Sequence, residues 1–117
     1  MFEKPSILEV SFYGTDVGNE PVRKWLKSLD KRDRYAIGED IKVVQFGWPI
    51  GMPLIRKLES ALWEVRTDLR GGRQARIIFT VEKGDMVILH GFLKYSQKTP
   101  KGELDTARQR LVHLRSR

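Results

Sequence analysis

The stretch from Ala61 to Pro100 constrains the fold more than any other part of the chain. It runs ALWEVRTDL, RGGR, QARIIFTVE, KGD and MVILHGFLKYSQKTP. Three short runs rich in β-branched and aromatic residues alternate with two tight-turn signals, which predicts three antiparallel strands. In the first run Trp63, Val65, Thr67 and Leu69 share one face, and Leu62, Glu64, Arg66 and Asp68 share the other, because strand side chains alternate. Arg70-Gly71-Gly72-Arg73 fits a type I′ hairpin turn, which needs positive φ at both central positions. In the second run Ala75, Ile77, Phe79 and Val81 face the core, while Gln74, Arg76, Ile78, Thr80 and Glu82 face away. After the turn at Lys83-Gly84-Asp85, the run MVILHGFL is apolar on both faces, so this strand is expected to be central or well covered. It ends at Lys94.

The flanking segments read as packing for one face of that sheet. Leu8, Val10 and Phe12 alternate with Glu9 and Ser11, which predicts a half-buried strand over residues 7–13. Residues 14–19 form a loop. Val22, Trp25, Leu26 and Leu29 recur at helical spacing, with Asn19 as the expected N-cap and Glu20 and Pro21 in the first turn. A second helix follows almost without a linker, capped by Asp30, striped by Ile37, Ile41 and Val44, and stopped at Gly47 before Trp48-Pro49. The two are expected to form an antiparallel α-hairpin. Gly38 inside the second helix costs about 1 kcal/mol relative to Ala; close packing against another helix would account for it. The loop WPIGMPL leads to residues 54–58, which bring Arg56 and Lys57 to the sheet edge. Thr99 as N-cap and Pro100 at the first position open a last helix, with Leu104, Ala107, Leu111 and Leu114 along its apolar stripe.

The expected fold is therefore α+β. It is a small antiparallel sheet, the three-strand meander plus the N-terminal strand, packed by an α-hairpin and a C-terminal helix on one face. The opposite face is expected to be at least partly open, and it carries Arg66 and Arg76. The length of 117 residues suits a single domain, 1–117.

Charge says more about partners than about fold. Lys and Arg number 22 against 15 Asp and Glu, a net charge of +7, which suits nucleic acid, a ribosome, an acidic protein or a membrane surface. There is no cysteine and there are only two histidines, so thiolate and His-rich metal sites are not expected, nor is any cofactor. No signal-peptide pattern opens the chain, and no apolar run approaches roughly 18 residues. A cytoplasmic protein with no membrane partner is expected.

Arg66 and Arg76 fall on adjacent strands and on the same predicted face, where cross-strand neighbours lie about 5–8 Å apart. Two guanidinium groups that close repel each other unless an anion lies between them. Either Glu64 and Asp68 pair with them as surface salt bridges, or a phosphate matches the planar guanidinium forks. Lys94 and Lys98 flank Tyr95-Ser96-Gln97, either as a solvated loop or as cations beside the arginine pair. Tyr95 can stack on a base or donate a proton. His90 lies in an apolar strand, either as a satisfied core histidine or as a catalyst; Trp25, Trp48 and Trp63 are read as core. RNA cleavage by such a surface would be in-line attack of a 2′-hydroxyl on the adjacent phosphate. It would rely on a lysine of lowered pKa, a tyrosine, or arginine as electrostatic stabiliser.

The segments Lys57-Leu58, Leu62-Trp63-Glu64-Val65-Arg66, Arg76-Ile77-Ile78-Phe79 and Leu89 to Pro100 resemble the HigB-type, phage-associated branch of the RelE/ParE toxin superfamily. The resemblance implies a RelE-like fold and the toxin of a type II toxin–antitoxin pair. Active members cut mRNA in the ribosomal A site without a metal and so inhibit translation. By position, Arg76 matches the family's phosphate-binding arginine, Arg66 a basic position on the preceding strand, and Lys94 and Lys98 the basic positions after the last strand; Lys57 matches more loosely. Many relatives carry two successive lysines where this chain has Lys94-Tyr95, so either Tyr95 takes over a role or the cleavage geometry differs. The candidate catalytic set is therefore Arg66, Arg76, Lys94, Tyr95 and Lys98, with Lys57, Arg56, Arg73 and His90 as candidate RNA-binding residues. The implied partners are the ribosome, mRNA and a cognate antitoxin with a helix-turn-helix DNA-binding domain. Members that inhibit gyrase share the fold without the nuclease site, so a gyrase inhibitor or an inactive phage-derived binding protein is the alternative.

Overall fold

The computed structural model describes residues 7–51, 53–94 and 99–117. In chain order it contains β1 (Glu9–Phe12), α1 (Pro21–Ser28), α2 (Lys31–Gly47), β2 (Ile55–Glu59), β3 (Leu62–Asp68), β4 (Gln74–Glu82), β5 (Asp85–Lys94) and α3 (Lys101–Arg115). The strands form one sheet in the order β1-β5-β4-β3-β2. The pairs β2–β3, β3–β4 and β4–β5 are antiparallel, whereas β1 runs parallel to β5. The sheet is thus mixed and five-stranded, one strand more than the sequence predicted. The extra strand is β2, joined to β3 by a turn at Ser60-Ala61 in which Ala61 adopts φ 64°. The meander-turn residues adopt the positive φ expected of them, Gly71 and Gly72 at 74° and 73° and Lys83 and Gly84 at 50° and 83°. The first turn, however, is a three-residue 3-10 segment, Arg70–Gly72, closed between Leu69 and Arg73, and not the two-residue type I′ turn the sequence predicted.

The predicted inward residues do line a core. Val65, Ala75, Ile77 and Phe79 pack with Leu8 and Ile88 of the sheet region and with Val22, Ile37, Ile41 and Val44 of α1 and α2. Helix α1 lies over β5 and α2 over β3, so the two helices spread across the sheet rather than closing only on each other. Gly91 of β5 admits α1: a Cβ there would sit 2.6 Å from the Trp25 ring.

The expectation that all helices share one face is corrected by the second core. Leu62, Ile78, Val87, Leu89 and Phe92 pack against Ala107 and Leu111 of α3. The chain is therefore layered helix–sheet–helix, and the face carrying Arg66 and Arg76 is covered rather than open. The cause is visible in β4, whose outward positions Ile78 and Thr80 are fully buried; an apolar strand face must find a cover.

Two helix starts also differ from expectation. Glu20, not Asn19, is the N-cap of α1. Pro100, not Thr99, is the N-cap of α3, because the Thr99 hydroxyl is engaged elsewhere. Asp30 caps α2 as expected, accepting from the Asp33 amide at 2.8 Å, and Gly47 is the last helical residue, followed by Trp48 as the C-cap. Among the described residues no helix is long and apolar enough to cross a membrane.

A bulge in β5 sets up the α3-facing surface. Ile78 pairs with His90 but Phe79 pairs with Ile88, which leaves Leu89 as the extra residue. Leu89 and His90 consequently both belong to the α3 side, and Gly91 returns to the α1 side.

Candidate functional site

Arg66 of β3 and Arg76 of β4 are directly opposed cross-strand partners. The anion between them is supplied by the protein itself. Glu64 Oε1 accepts from Arg66 Nε at 3.0 Å and from Arg76 NH1 at 2.9 Å, and Glu64 Oε2 accepts from the Thr99 hydroxyl at 2.6 Å. Arg76 Nε donates to Gln74 Oε1 at 2.6 Å, and Gln74 Nε2 donates in turn to Asp68 Oδ1 at 2.9 Å. The sequence reading of exposed salt bridges is corrected here. Glu64 and Arg76 side chains are 0% exposed and Arg66 is 9% exposed, so this is a buried charge network. Asp68 serves Gln74 in it. Removing one partner of a buried pair strands the other, at a cost of about 3–5 kcal/mol.

Lys94, the last residue of β5, completes the cluster. It pairs in register with Gln74 and is 6% exposed. Its Nζ has no hydrogen-bond partner among the described residues. Burial, followed by the charge of Arg76, lowers its pKa below the ordinary lysine value, against the pull of Glu64. Arg76 is likewise lowered by burial, with Glu64 opposing, yet a guanidinium stays charged under ordinary conditions. Arg56, exposed on β2, pairs in register with Glu64 and adds its field to Arg76. The described arrangement is thus Arg56, Arg66, Arg76 and Lys94 around the single carboxylate of Glu64.

The other sequence candidates lie elsewhere. Lys57 is on the opposite sheet face, with its Nζ 5.8 Å from the Trp63 ring centre. Arg73 clamps Asp33 of α2 with two hydrogen bonds, at 2.7 and 3.2 Å, and ties the hairpin to the helix. His90 Nε2 lies 3.0 Å from Glu103 Oε1 and its Nδ1 3.3 Å from Arg110 NH1, so it is held by α3 and not by the arginine cluster. Tyr95 and Lys98 lie outside the described residues.

Sequence reasoning undervalued two members of the cluster. Glu64 shares a strand face with Arg66 two residues on, and this period-2 spacing is its only signal. Thr99 reads locally as a helix cap, and nothing local shows that its hydroxyl turns to Glu64.

Chemically, the cluster can lower the cost of developing negative charge on an oxyanion and can release a proton from Lys94 more readily than from an exposed lysine. A family model described as Phage derived protein Gp49-like (DUF891) matches residues 24–112. This span holds all of α2, the meander and most of α3. No curated protein matches the chain.

Proposed function

The chain belongs to the Gp49-like family of phage-derived proteins, and from that premise we propose that it is a RelE-like toxin of a type II toxin–antitoxin pair, a metal-independent endonuclease that cuts mRNA on the ribosome. The observation that carries the reading is the convergence of Arg66, Arg76 and Lys94 on one patch, with the Lys94 ammonium buried, unbonded among the described residues and lowered in pKa. In this mechanism neutral Lys94 Nζ takes the proton of a 2′-hydroxyl. The 2′-oxygen attacks the adjacent phosphorus, the bond from phosphorus to the 5′-oxygen breaks, and a 2′,3′-cyclic phosphate remains. Arg66 stabilises charge on the phosphorane oxygens. Arg76, fully enclosed, is a positioning residue that fixes Glu64 and the field around Arg66. Tyr95 or Lys98 returns a proton to the leaving 5′-oxygen. An antitoxin covering the basic patch would silence the site.

A second reading has one observation in its favour: Glu64 already occupies the place between the two guanidinium groups where a phosphate would lie. In that reading the patch is structural, and the protein is a non-nuclease relative, either a gyrase inhibitor or an inactive binding protein.

Primer extension on translating ribosomes separates the two. Wild-type protein is expected to cut mRNA, and Arg66→Ala and Lys94→Met each to lower cleavage by about 10²-fold or more. Lys94→Met is the cleaner variant: it removes a desolvated charge without breaking a hydrogen bond among the described residues, so its thermal midpoint is expected at or above that of wild type. Full cleavage by both variants sinks the site. Intact transcripts with wild type, alongside an SOS response, favour gyrase as the target.

A further inference from the structure

Strand β5 outruns the strand that covers its outer edge. β1 pairs with it only from Asp85 to Ile88, and the Tyr13 amide adds one more bond to the Ile88 carbonyl at 2.9 Å. From Leu89 to Lys94 no strand among the described residues lies on that side. Which backbone groups point there follows from the register. The carbonyls of Gly84 and Ile88 accept from the β1 side, and successive strand residues turn their backbone groups to alternate sides. The extra residue Leu89 shifts that alternation by one, so beyond the bulge Gly91 and Leu93 turn their amides and carbonyls to the vacant edge. Both residues are half-buried rather than enclosed.

The vacant edge is shaped. A cleft of about 180 Å³ lies on it, walled by Pro21, Val22 and Trp25 of α1 and by Arg110 of α3, with His90 and Gly91 of β5 between them. The first wall is apolar and the second is charged. Arg110 donates from NH1 to the Leu89 carbonyl at 2.8 Å, and the same nitrogen lies 3.3 Å from His90 Nδ1. Its guanidinium carbon stands 5.7 Å from the Tyr13 ring centre. Burial lowers its pKa, with Tyr13 opposing, yet a guanidinium stays charged. The nearby carboxylate of Glu103 goes to His90 Nε2 instead, at 3.0 Å. Among the described residues Arg110 therefore has no carboxylate partner, and its Nε and NH2 donors are unused. A desolvated cation is normally paired.

We infer that the free half of the β5 edge takes a further strand from another protein, an extended segment that alternates β-branched apolar residues with acidic ones. At about 3.3 Å per residue the edge from Leu89 to Lys94 holds roughly five residues of such a segment. The alternation follows from the two walls. Side chains of a strand point by turns to opposite faces, so one set meets Val22 and Trp25 and the other meets Arg110. A carboxylate in the second set supplies the counter-ion that Arg110 lacks, and a net charge of +7 favours the approach of an acidic segment. Main-chain bonds to Gly91 and Leu93 attach the strand, and the alternate side chains select it. A second copy of this chain suits the edge poorly, because it adds another uncompensated Arg110 to the same seam. The cleft shares no side chain with the patch of Arg56, Arg66, Arg76 and Lys94, so the docking edge stands whether or not that patch cuts RNA.

Nuclear magnetic resonance titration of the full chain with the peptide acetyl-Val-Glu-Val-Glu-Val-amide tests it. The largest shifts are expected at the Gly91 and Leu93 amides and at the Arg110 side chain, and saturation is expected to slow exchange of those two amides with solvent. Acetyl-Val-Gln-Val-Gln-Val-amide is expected to bind about tenfold more weakly, the difference that one hydrogen bond to a charged group makes. A copy of the first peptide N-methylated at every residue, which keeps the side chains and loses the donors, is expected not to bind. Arg110→Gln is expected to bind the Glu and Gln peptides alike; if that variant does not fold, the comparison of peptides on the wild type decides by itself. Equal binding of the Glu and Gln peptides by the wild type overturns the inference. Undiminished binding of the N-methylated copy does the same, as do shifts confined to the Arg56–Arg66 surface. A chain that light scattering shows to be dimeric, with the Gly91 and Leu93 amides protected in the dimer, assigns the edge to a second copy and overturns it too.

Discussion

Gly38 sits on the solvent side of α2, and a Cβ added there meets nothing within 4 Å. The close helix packing that would have accounted for this glycine is absent, so it contributes only backbone freedom to the unfolded chain. Gly38→Ala is expected to stabilise the protein by about 1 kcal/mol, read as an upward shift of the urea midpoint at unchanged slope. Gly91 has the same missing side chain but the opposite surroundings, since a methyl group there would meet Trp25 ring atoms at 2.6 and 2.8 Å. No local pattern distinguishes these two glycines; only the neighbour brought in by the fold does. The same holds for the charged residues. Alternation along the strands set Arg66 and Arg76 on one face, and the structure agrees. What alternation does not reveal is whether that face is wet. Arg66 and Arg76 were therefore legible as neighbours, while the enclosure of Glu64 between them depended on partners distant in sequence, Arg76 of β4 and Thr99 just ahead of α3.

At the scale of elements, strong local signals succeeded and weak ones failed. The Gly-Gly and Lys-Gly turns need positive φ, and their residues announce it. The turn at Ser60-Ala61 does not, because alanine rarely adopts φ 64°, and β2, only five residues with two exposed cations, lacks a dry face of its own. The face chosen by α3 was equally illegible: its stripe needs some apolar surface, and both sides of a strand as apolar as β5 offer one. One inter-element tie carries a prediction. Arg73 in the hairpin holds Asp33 at the start of α2, and its hydrogen bonds, ahead of its charge, keep the Asp33 carboxyl below the usual carboxylate range against the opposing effect of burial. A depressed carboxyl contributes stability above its unfolded value of about 3.9. That contribution fades as pH falls through the folded value. Arg73→Ala is therefore expected to melt lower than wild type at pH 7, and the gap between the two melting curves is expected to close in strong acid. A gap independent of pH would assign the loss to packing instead.

For the whole molecule, two apolar cores on opposite sides of one sheet leave β4 the best-protected element, paired on both edges and buried over six successive residues from Ala75 to Thr80. By contrast β1 is a four-residue edge strand whose register partners, from Asp85 to Ile88, lie far along the chain. Native-state hydrogen exchange is expected to show β1 amides exchanging well before those of β4, through a local opening that leaves the meander intact. Equal protection in the two strands would show that the sheet opens only as a unit.

The parallel docking of β1 also sets an order of events during synthesis. Each meander strand meets its neighbour as soon as the next turn is made, but β1 has no partner until β5 has been translated. At about 5–20 residues per second, the segment bearing Leu8, Val10 and Phe12 waits roughly 4–15 s for Asp85 to follow Glu9. For that interval the nascent chain carries an unpaired apolar strand, and a chaperone that reads short apolar segments has its natural opportunity there.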